Sequence, residues 1–467
     1  MSLNTTAFKW NLLQTFGMQL LNLGVSILLA RLLGPKEFGI VALAMVFISF
    51  GQTIMNGGLS ESVIRLQKPT SLDYNSLFFL NLLFSIVIYL TFFFSRNVFA
   101  SFMEEPLLET IIPVLSIIII INSFSIVQAT KLNRELNFKK QFLINIPATI
   151  FSSICGLFFA FNGYGVFSLI YMQLIFAISG TLVLWVTSDY IPSLKIDLSN
   201  LKKHFKFGFP LTINNLFTSV ANNINSLIIG KYFSVVELGL YNRSKSLKEL
   251  PVNNFINIAN KNLLPMYANN VDNQEYLMKI YGKVLRLIFV LFVPLTALLV
   301  VNAEFLIKVL LGNKWLEAIP YFQVLMLSAA FEVSTRSSVS LLKVVSGSTI
   351  ILKKESFYNI LYLVAGLLSI HFGIYFLLFS LVFISLIKFI SFHYAVKRHF
   401  KGNFSLVFGL QERIIIILAI VGSCILFFIN NLYLSLIFSI IVVGGPSIYI
   451  LSNFSRRNAI VNYFKNL

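Results

Sequence analysis

"ARLLGPKEFGI", Ala30 to Ile40, closes one long apolar run and opens the next. Two hundred residues later "GKYFSVVELGL", Gly230 to Leu240, returns a base, an acid and a glycine at the same relative places. Arg31 falls on Lys231, Glu37 on Glu237 and Gly39 on Gly239. In the preceding run Thr15, Gln19, Asn22 and Ser26 fall on Asn215, Ser219, Asn222 and Ser226. Steps of four, three and four keep each set on one face of a helix. The chain therefore writes one helical corner twice.

The composition says what kind of corner. Of 467 residues, 57% are hydrophobic and 12% charged, against roughly 25% charged in soluble domains; mean hydropathy is +0.82. A helix crosses a bilayer core with about 20 apolar residues. Fourteen such runs are predicted. Six lie in the first half, Leu12–Leu33, Phe38–Leu59, Tyr74–Phe99, Leu107–Gln128, Phe142–Phe161 and Gly165–Val186. Six lie in the second, Phe209–Gly230, Leu238–Leu264, Leu285–Val301, Tyr321–Leu342, Phe357–Ile370 and Gly373–Ala395. Ile414–Ile429 and Leu432–Leu451 follow. Lipid admits only helices or closed barrels, and these runs are too long for strands. The expected fold is an all-α polytopic bundle: a six-helix lobe over residues 1–195, a second over 196–400, and two extra helices over 401–467. The first run lacks a basic leader and a small-residue cleavage site, so it is expected to stay as a span.

Even-numbered lobes put both chain ends on one side, and loops on that side hold 26 of the 36 Lys and Arg. The positive-inside rule makes that side cytoplasmic. The net charge of +18 is thereby accounted for without a nucleic-acid partner. Nine bases lie on the other side, and four of them, Lys231, Arg243, Lys245 and Lys248, crowd into one short stretch that the topology rule disfavours. Cys155 and Cys424 sit inside apolar runs and read as small buried side chains; no metal spacing or cofactor motif is present.

The two matched polar stripes read either as interhelical glue or as two faces lining one aqueous cavity, a plan common where parallel repeats meet. The run after the second corner carries Asn242, Ser246, Glu249, Asn253, Asn257 and Asn260 down one side, with Arg243 and Lys248 beside them and Lys261 at the inner end. Its counterpart carries Gln52, Asn56, Glu61 and Arg65. Ionisable groups at membrane depth are costly and usually face a bundle interior or water; snorkelling to the interface is the alternative for Lys245 and Lys248. Glu332 and Arg336 stand four apart, in register for an ion pair. Glu61, Glu249 and Glu332, with Arg336, are the candidates for ion coupling. No paired catalytic acids, phosphate loop or Ser/His/Asp set stands out, and no enzyme is expected. A membrane enzyme of glycan assembly and a cation-coupled exporter of small solutes remain as alternatives.

"ILLARLLGPKEFGIVALAMVFISFGQTIMNGGLSESVIRLQ", Ile27–Gln67, and "LIIGKYFSVVELGLYNRSKSLKELPVN", Leu227–Asn253, resemble the paired signatures of bacterial polysaccharide and O-antigen flippases. The resemblance is to the Wzx/WzxC-like lipopolysaccharide-biosynthesis branch of the multidrug/oligosaccharidyl-lipid/polysaccharide exporter superfamily, and covers essentially the whole chain. It implies two lobes in a V that open alternately, and translocation of an undecaprenyl-pyrophosphate-linked oligosaccharide to the periplasmic leaflet of the bacterial plasma membrane, beside polymerase and assembly proteins. It implies a lobe interface formed by the first two helices of each half, which carry the stripes. Arg31, Arg65, Lys231, Arg243 and Lys248 match the cavity arginines that related lipid II flippases set against pyrophosphate, though the first half has fewer such groups than that pattern. Related drug exporters carry acids in the first helix; this first span has none.

Overall fold

The computed structural model describes residues 5–135, 137–188, 190–193 and 197–400, except the side chains of residues 5–16, 198, 258–262 and 348. Every regular element among the described residues is helical. The first half runs α1 (Thr5–Leu32), α2 (Pro35–Asn56), α3 (Leu59–Ile64), α4 (Ser71–Phe94), α5 (Arg96–Met103), α6 (Leu108–Arg134), α7 (Phe138–Phe161) and α8 (Val166–Thr187). The second runs α9 (Leu198–Tyr232), α10 (Val235–Ala268), α11 (Gln274–Val301), α12 (Ala303–Leu310), α13 (Ala318–Met326), α14 (Ala329–Val345), α15 (Ser348–Phe372) and α16 (Ile374–His399). Ten of the predicted runs each fall on one helix, and the third and tenth each fall on two; the two beyond residue 400 lie outside the described residues, as does Cys424.

The repeat is visible element by element. α1 ends at Leu32 and α9 at Tyr232; α2 starts at Pro35 and α10 at Val235. A short helix follows the third run of each half, α5 and then α12. Two differences have local causes. α2 stops at Gly57, whose φ of 49° takes the left-handed conformation that caps helices, whereas α10 runs on through Pro251 and Pro265. The predicted tenth span is not one helix: it breaks at Leu327–Ser328 into α13 and α14, and Ser328 turns its hydroxyl onto the Leu325 carbonyl.

Caps show why the corners form where they do. Pro35 occupies the first turn of α2, where its missing N–H costs nothing. The Glu37 carboxylate accepts the Gly34 N–H at 2.9 Å, satisfying a helix-end donor and meeting the positive end of the dipole. The second copy lacks Gly-Pro and uses Ser234, whose hydroxyl accepts the Glu237 N–H at 3.0 Å. At the start of α4 Thr70 and Asp73 cap each other reciprocally.

Among the described residues, seven helices are long and apolar enough to cross a bilayer, and Gly17–Leu32 of α1 is a shorter apolar one. The helices carrying the second copy of the corner, α9 and α10, fall short because of their polar residues. Large apolar side chains such as Phe94, Phe158, Phe161 and Val186 stand between 61% and 86% exposed, an arrangement that a hydrocarbon surround makes favourable.

The chain forms two compact units, the first Met1–Gly239, the second beginning at Leu240. In the first, α1 lies on α7, α7 on α8, α4 on α6, and α9 on α2, α3 and α4. Leu59, Val63, Leu77, Phe78 and Val127 form a buried apolar cluster there. Tyr190 closes the linker before α9 onto α4, donating to Asn75 Oδ1 at 2.7 Å; burial pushes its phenol up to about 12. In the second, α16 packs on α13, α14 and α15, and α11 on α14.

Candidate functional site

Among the described residues, the sequence candidates gather chiefly in two places, one in each unit. The first is a partly open cavity of about 360 Å³ lined by α1, α2, α6, α7 and α8. Asn22 and Ser26 from α1 and Gln52 from α2 reach it, as the stripes anticipated. Asn122, Thr149, Ser152, Ser153 and Gln173 complete the polar lining, and Met18, Met45, Met172, Phe38 and Phe176 give it apolar walls. The three added helices, α6, α7 and α8, supply residues that a comparison of the two corners alone did not flag: Asn122 and Gln173 lie on helices without a matched stripe.

The second is a charged cluster on the N-terminal half of α10. Lys248 is 5% exposed and Arg243 9%. Lys248 Nζ donates to Glu332 Oε1 at 2.7 Å and lies 3.4 Å from Ser328 Oγ. Ser328 Oγ also lies 2.7 Å from the same carboxylate oxygen. Lys245 approaches Glu249 at 4.0 Å, and Ser244 donates to the Ala318 carbonyl. The break between α13 and α14 thus presents a hydroxyl and a carboxylate to α10. The expected register of Glu332 with Arg336 is not used: Glu332 takes Lys248, and Arg336 stands exposed on α14. A buried ammonium has more to lose without a counter-charge than an exposed guanidinium, so it takes the acid.

The other sequence candidates divide. Lys231, at the end of α9, donates to Glu104 Oε1 at 2.6 Å and lies over the Phe102 ring. Its ammonium holds the Glu104 carboxyl below the usual carboxylate range. Glu104 is the one non-glycine with positive φ among the described residues, at 56°. Arg65 is exposed at the end of α3 and stacks its guanidinium 3.7 Å over Phe207, so it lies apart from both clusters. Arg31 is exposed in the last turn of α1. Asn56, Glu61, Asn215, Asn222, Asn253 and Asn257 are exposed, and Gln19 and Ser219 half-buried. The side chains of Thr15 and Lys261 lie outside the described residues. α9 meets α2 through a residue off the stripe: Asn223 donates to Ser49 Oγ at 3.3 Å.

A Ser–His–Asp set is present after all. His204 Nδ1 lies 2.8 Å from Ser62 Oγ, and Nε2 donates to Asp73 Oδ1 at 2.9 Å. Ser62 is 1%, His204 2% and Asp73 4% exposed, and the Ser62 proton goes to the Leu59 carbonyl. The set ties α3, α4 and α9 together. Sequence spacing hid it, because 142 residues separate Ser62 from His204.

An all-helical chain with duplicated halves and charges enclosed among apolar helices is a polytopic membrane protein with a repeated-lobe architecture. More particularly, the chain belongs to the family described as polysaccharide biosynthesis protein, which it matches over residues 28–320. It is 24% identical over 327 residues to the lipopolysaccharide biosynthesis protein WzxC of Escherichia coli K12, covering 68% of this chain and 65% of that one. It is 23% identical over 322 residues to the succinoglycan biosynthesis transport protein ExoT of Rhizobium meliloti, again covering 68% and 65%. The similarity therefore spans just under two thirds of those relatives' own length. The fold is similar to that of the lipid II flippase MurJ in an inward closed conformation, with a TM-score of 0.74 at 13% identity over 96% of this chain and 99% of that one. An inward-facing multidrug resistance MATE family transporter of the MOP superfamily follows at 0.62, 15% identity, and coverage of 82% and 96%.

Proposed function

We propose that this protein carries a lipid-linked oligosaccharide across the bacterial plasma membrane, from the cytoplasmic to the outer leaflet, by alternating access, with both termini cytoplasmic. The observation that carries this reading is the enclosed cluster of Arg243, Lys245 and Lys248 on two turns of α10, where three bases meet the two acids Glu249 and Glu332. Cations gathered among apolar helices are costly in lipid and are stabilised by anionic partners. A phosphate-bearing head group supplies that anion and accepts charge-assisted hydrogen bonds from Lys and Arg. Glu332 then acts as the resident counter-ion, giving up Lys248 to the phosphate and reclaiming it on release, so that the head group is not held too tightly to leave. The isoprenoid tail stays in lipid throughout. The family membership and the biosynthesis and transport names of WzxC and ExoT support the same reading. The protein performs no covalent chemistry on its cargo in this account, and it works beside the polymerase that consumes the flipped unit.

The test is export. Arg243→Gln and Lys248→Met are each expected to abolish surface glycan while the protein stays in the membrane at normal amount. Normal surface glycan in the double variant refutes the phosphate assignment. The half-buried carboxylate of Glu332 among apolar helices favours a second reading, ion-driven export of small cationic solutes; uptake of such a solute into everted vesicles on an imposed ion gradient separates it.

A further inference from the structure

We infer that the cavity inside the first unit is a binding site for one uncharged sugar residue, separate from the cationic cluster of α10. This deepens the transport proposal by naming what the first unit recognises, and it rests on that proposal only for the origin of the sugar.

The chemistry of the lining selects the ligand. Asn22, Gln52, Asn122 and Gln173 come from four different helices, α1, α2, α6 and α8, and converge on one space. A carboxamide offers two donors and two acceptor lone pairs. Asn22 is exposed and the other three are half-buried, and none of the four makes a side-chain hydrogen bond to another described residue, so their amides are open to a ligand. Thr149 and Ser152 give their protons to their own helix, at Asn145 and Thr149 carbonyls, and present lone pairs only. Donors and acceptors in nearly equal supply fit hydroxyl groups, which are both. Between them, Met18, Met45, Met172, Phe38 and Phe176 offer apolar surface to the C–H face of a pyranose.

Charge and size narrow it further. Among the described residues, no Lys, Arg, His, Asp or Glu lines the cavity. A uronic acid or a phosphate there would be a partly desolvated anion without a counter-charge, which is unfavourable; an amino sugar's ammonium would fare no better. At about 360 Å³ the space lies at the small end of ligand pockets, which run from roughly 300 to 1,000 Å³. It suits one pyranose ring with some water, not an extended chain.

Saturation-transfer NMR on the full chain in nanodiscs tests this, with methyl glucopyranoside, methyl galactopyranoside, N-acetylglucosamine and glucuronate as probes. Transfer to at least one neutral pyranoside is expected, exceeding that to glucuronate by about tenfold or more. In Gln52→Leu/Asn122→Leu, losing two amide partners should weaken that signal by about tenfold or more, while inorganic pyrophosphate binding stays unchanged and certifies the fold. Transfer to no neutral pyranoside, equal transfer to glucuronate, or full transfer in the double variant each overturns the site. Translocation without pyranoside binding strikes the site alone; pyranoside binding without translocation strikes the transport proposal alone.

Discussion

Gly39 and Gly239 stand at one helix crossing within the first unit, each pressed against the backbone opposite its partner. A Cβ on Gly39 would lie 1.6 Å from the Val235 carbonyl oxygen, and one on Gly239 would lie 1.9 Å from that of Pro35. The offset of two hundred residues thus holds for both members of the contact, 39 with 239 and 35 with 235. The duplicated corner written in sequence is a pair of facing helix starts in space, joined by backbone approach of the kind small residues permit in membranes.

Gly39→Ala and Gly239→Ala should each destabilise the protein, by about 1–3 kcal/mol, because the backbones must part to admit a methyl. The two changes act on one contact, so the double variant should cost clearly less than the sum. Thermal unfolding of the purified protein followed by size exclusion checks this; strict additivity would mean the crossing is not shared.

Glu332→Ala should cost about 2–4 kcal/mol, the lower part of the range for a broken buried pair because the Glu332 side chain is a third exposed. Lys248→Met on the same background should recover most of that stability. Export should not recover with it. Restored export in the stable double variant would reduce Lys248 to a structural role.

His204→Leu should lower stability by about 1–3 kcal/mol, since it leaves the enclosed Asp73 Oδ1 without its donor. Ser62→Ala should cost less, because it removes one hydroxyl and strands no charge. Amide hydrogen exchange should show the His204 loss as faster exchange in α3 and at the start of α9, the helices that the set ties to α4. An effect confined to α4 would contradict it.

The Glu104–Lys231 pair gives a pH dependence with a definite sign. The carboxyl is held below its ordinary value of 4.5, so the folded state binds fewer protons there than the unfolded chain. Its contribution is complete at neutral pH and is lost as pH falls through the lowered value. Wild type and Glu104→Gln should differ in thermal midpoint near pH 7 and converge in strong acid. Curves that run parallel throughout would show that the pair contributes nothing.

The corner was legible because its information is local. A glycine, a base and an acid at fixed offsets, with stripes at helical spacing, survive in a linear reading. Most helices were legible for the same reason, since apolar length alone marks a span. The break at Leu327–Ser328 was not, because an apolar run looks the same whether one helix or two fill it. Nor was partner choice. Spacing offered Arg336 to Glu332, but burial gave it Lys248, 84 positions away. Lys231 looked available to a phosphate until Glu104 arrived from 127 positions away. Asn22 and Gln52 were found as stripe residues, while Asn122 and Gln173, without a matched copy, appear only once five helices close around the cavity.

The most direct test of the central claim is translocation by the purified protein. Vesicles would carry a lipid-linked oligosaccharide labelled on its sugar with a fluorophore that a membrane-impermeant reductant bleaches. With the protein present, bleaching should go well past the outer-leaflet fraction lost from empty vesicles, and Arg243→Gln/Lys248→Met should return it to the empty-vesicle level. Bleaching that stops at the outer-leaflet fraction with the folded wild-type protein in the membrane would contradict the account.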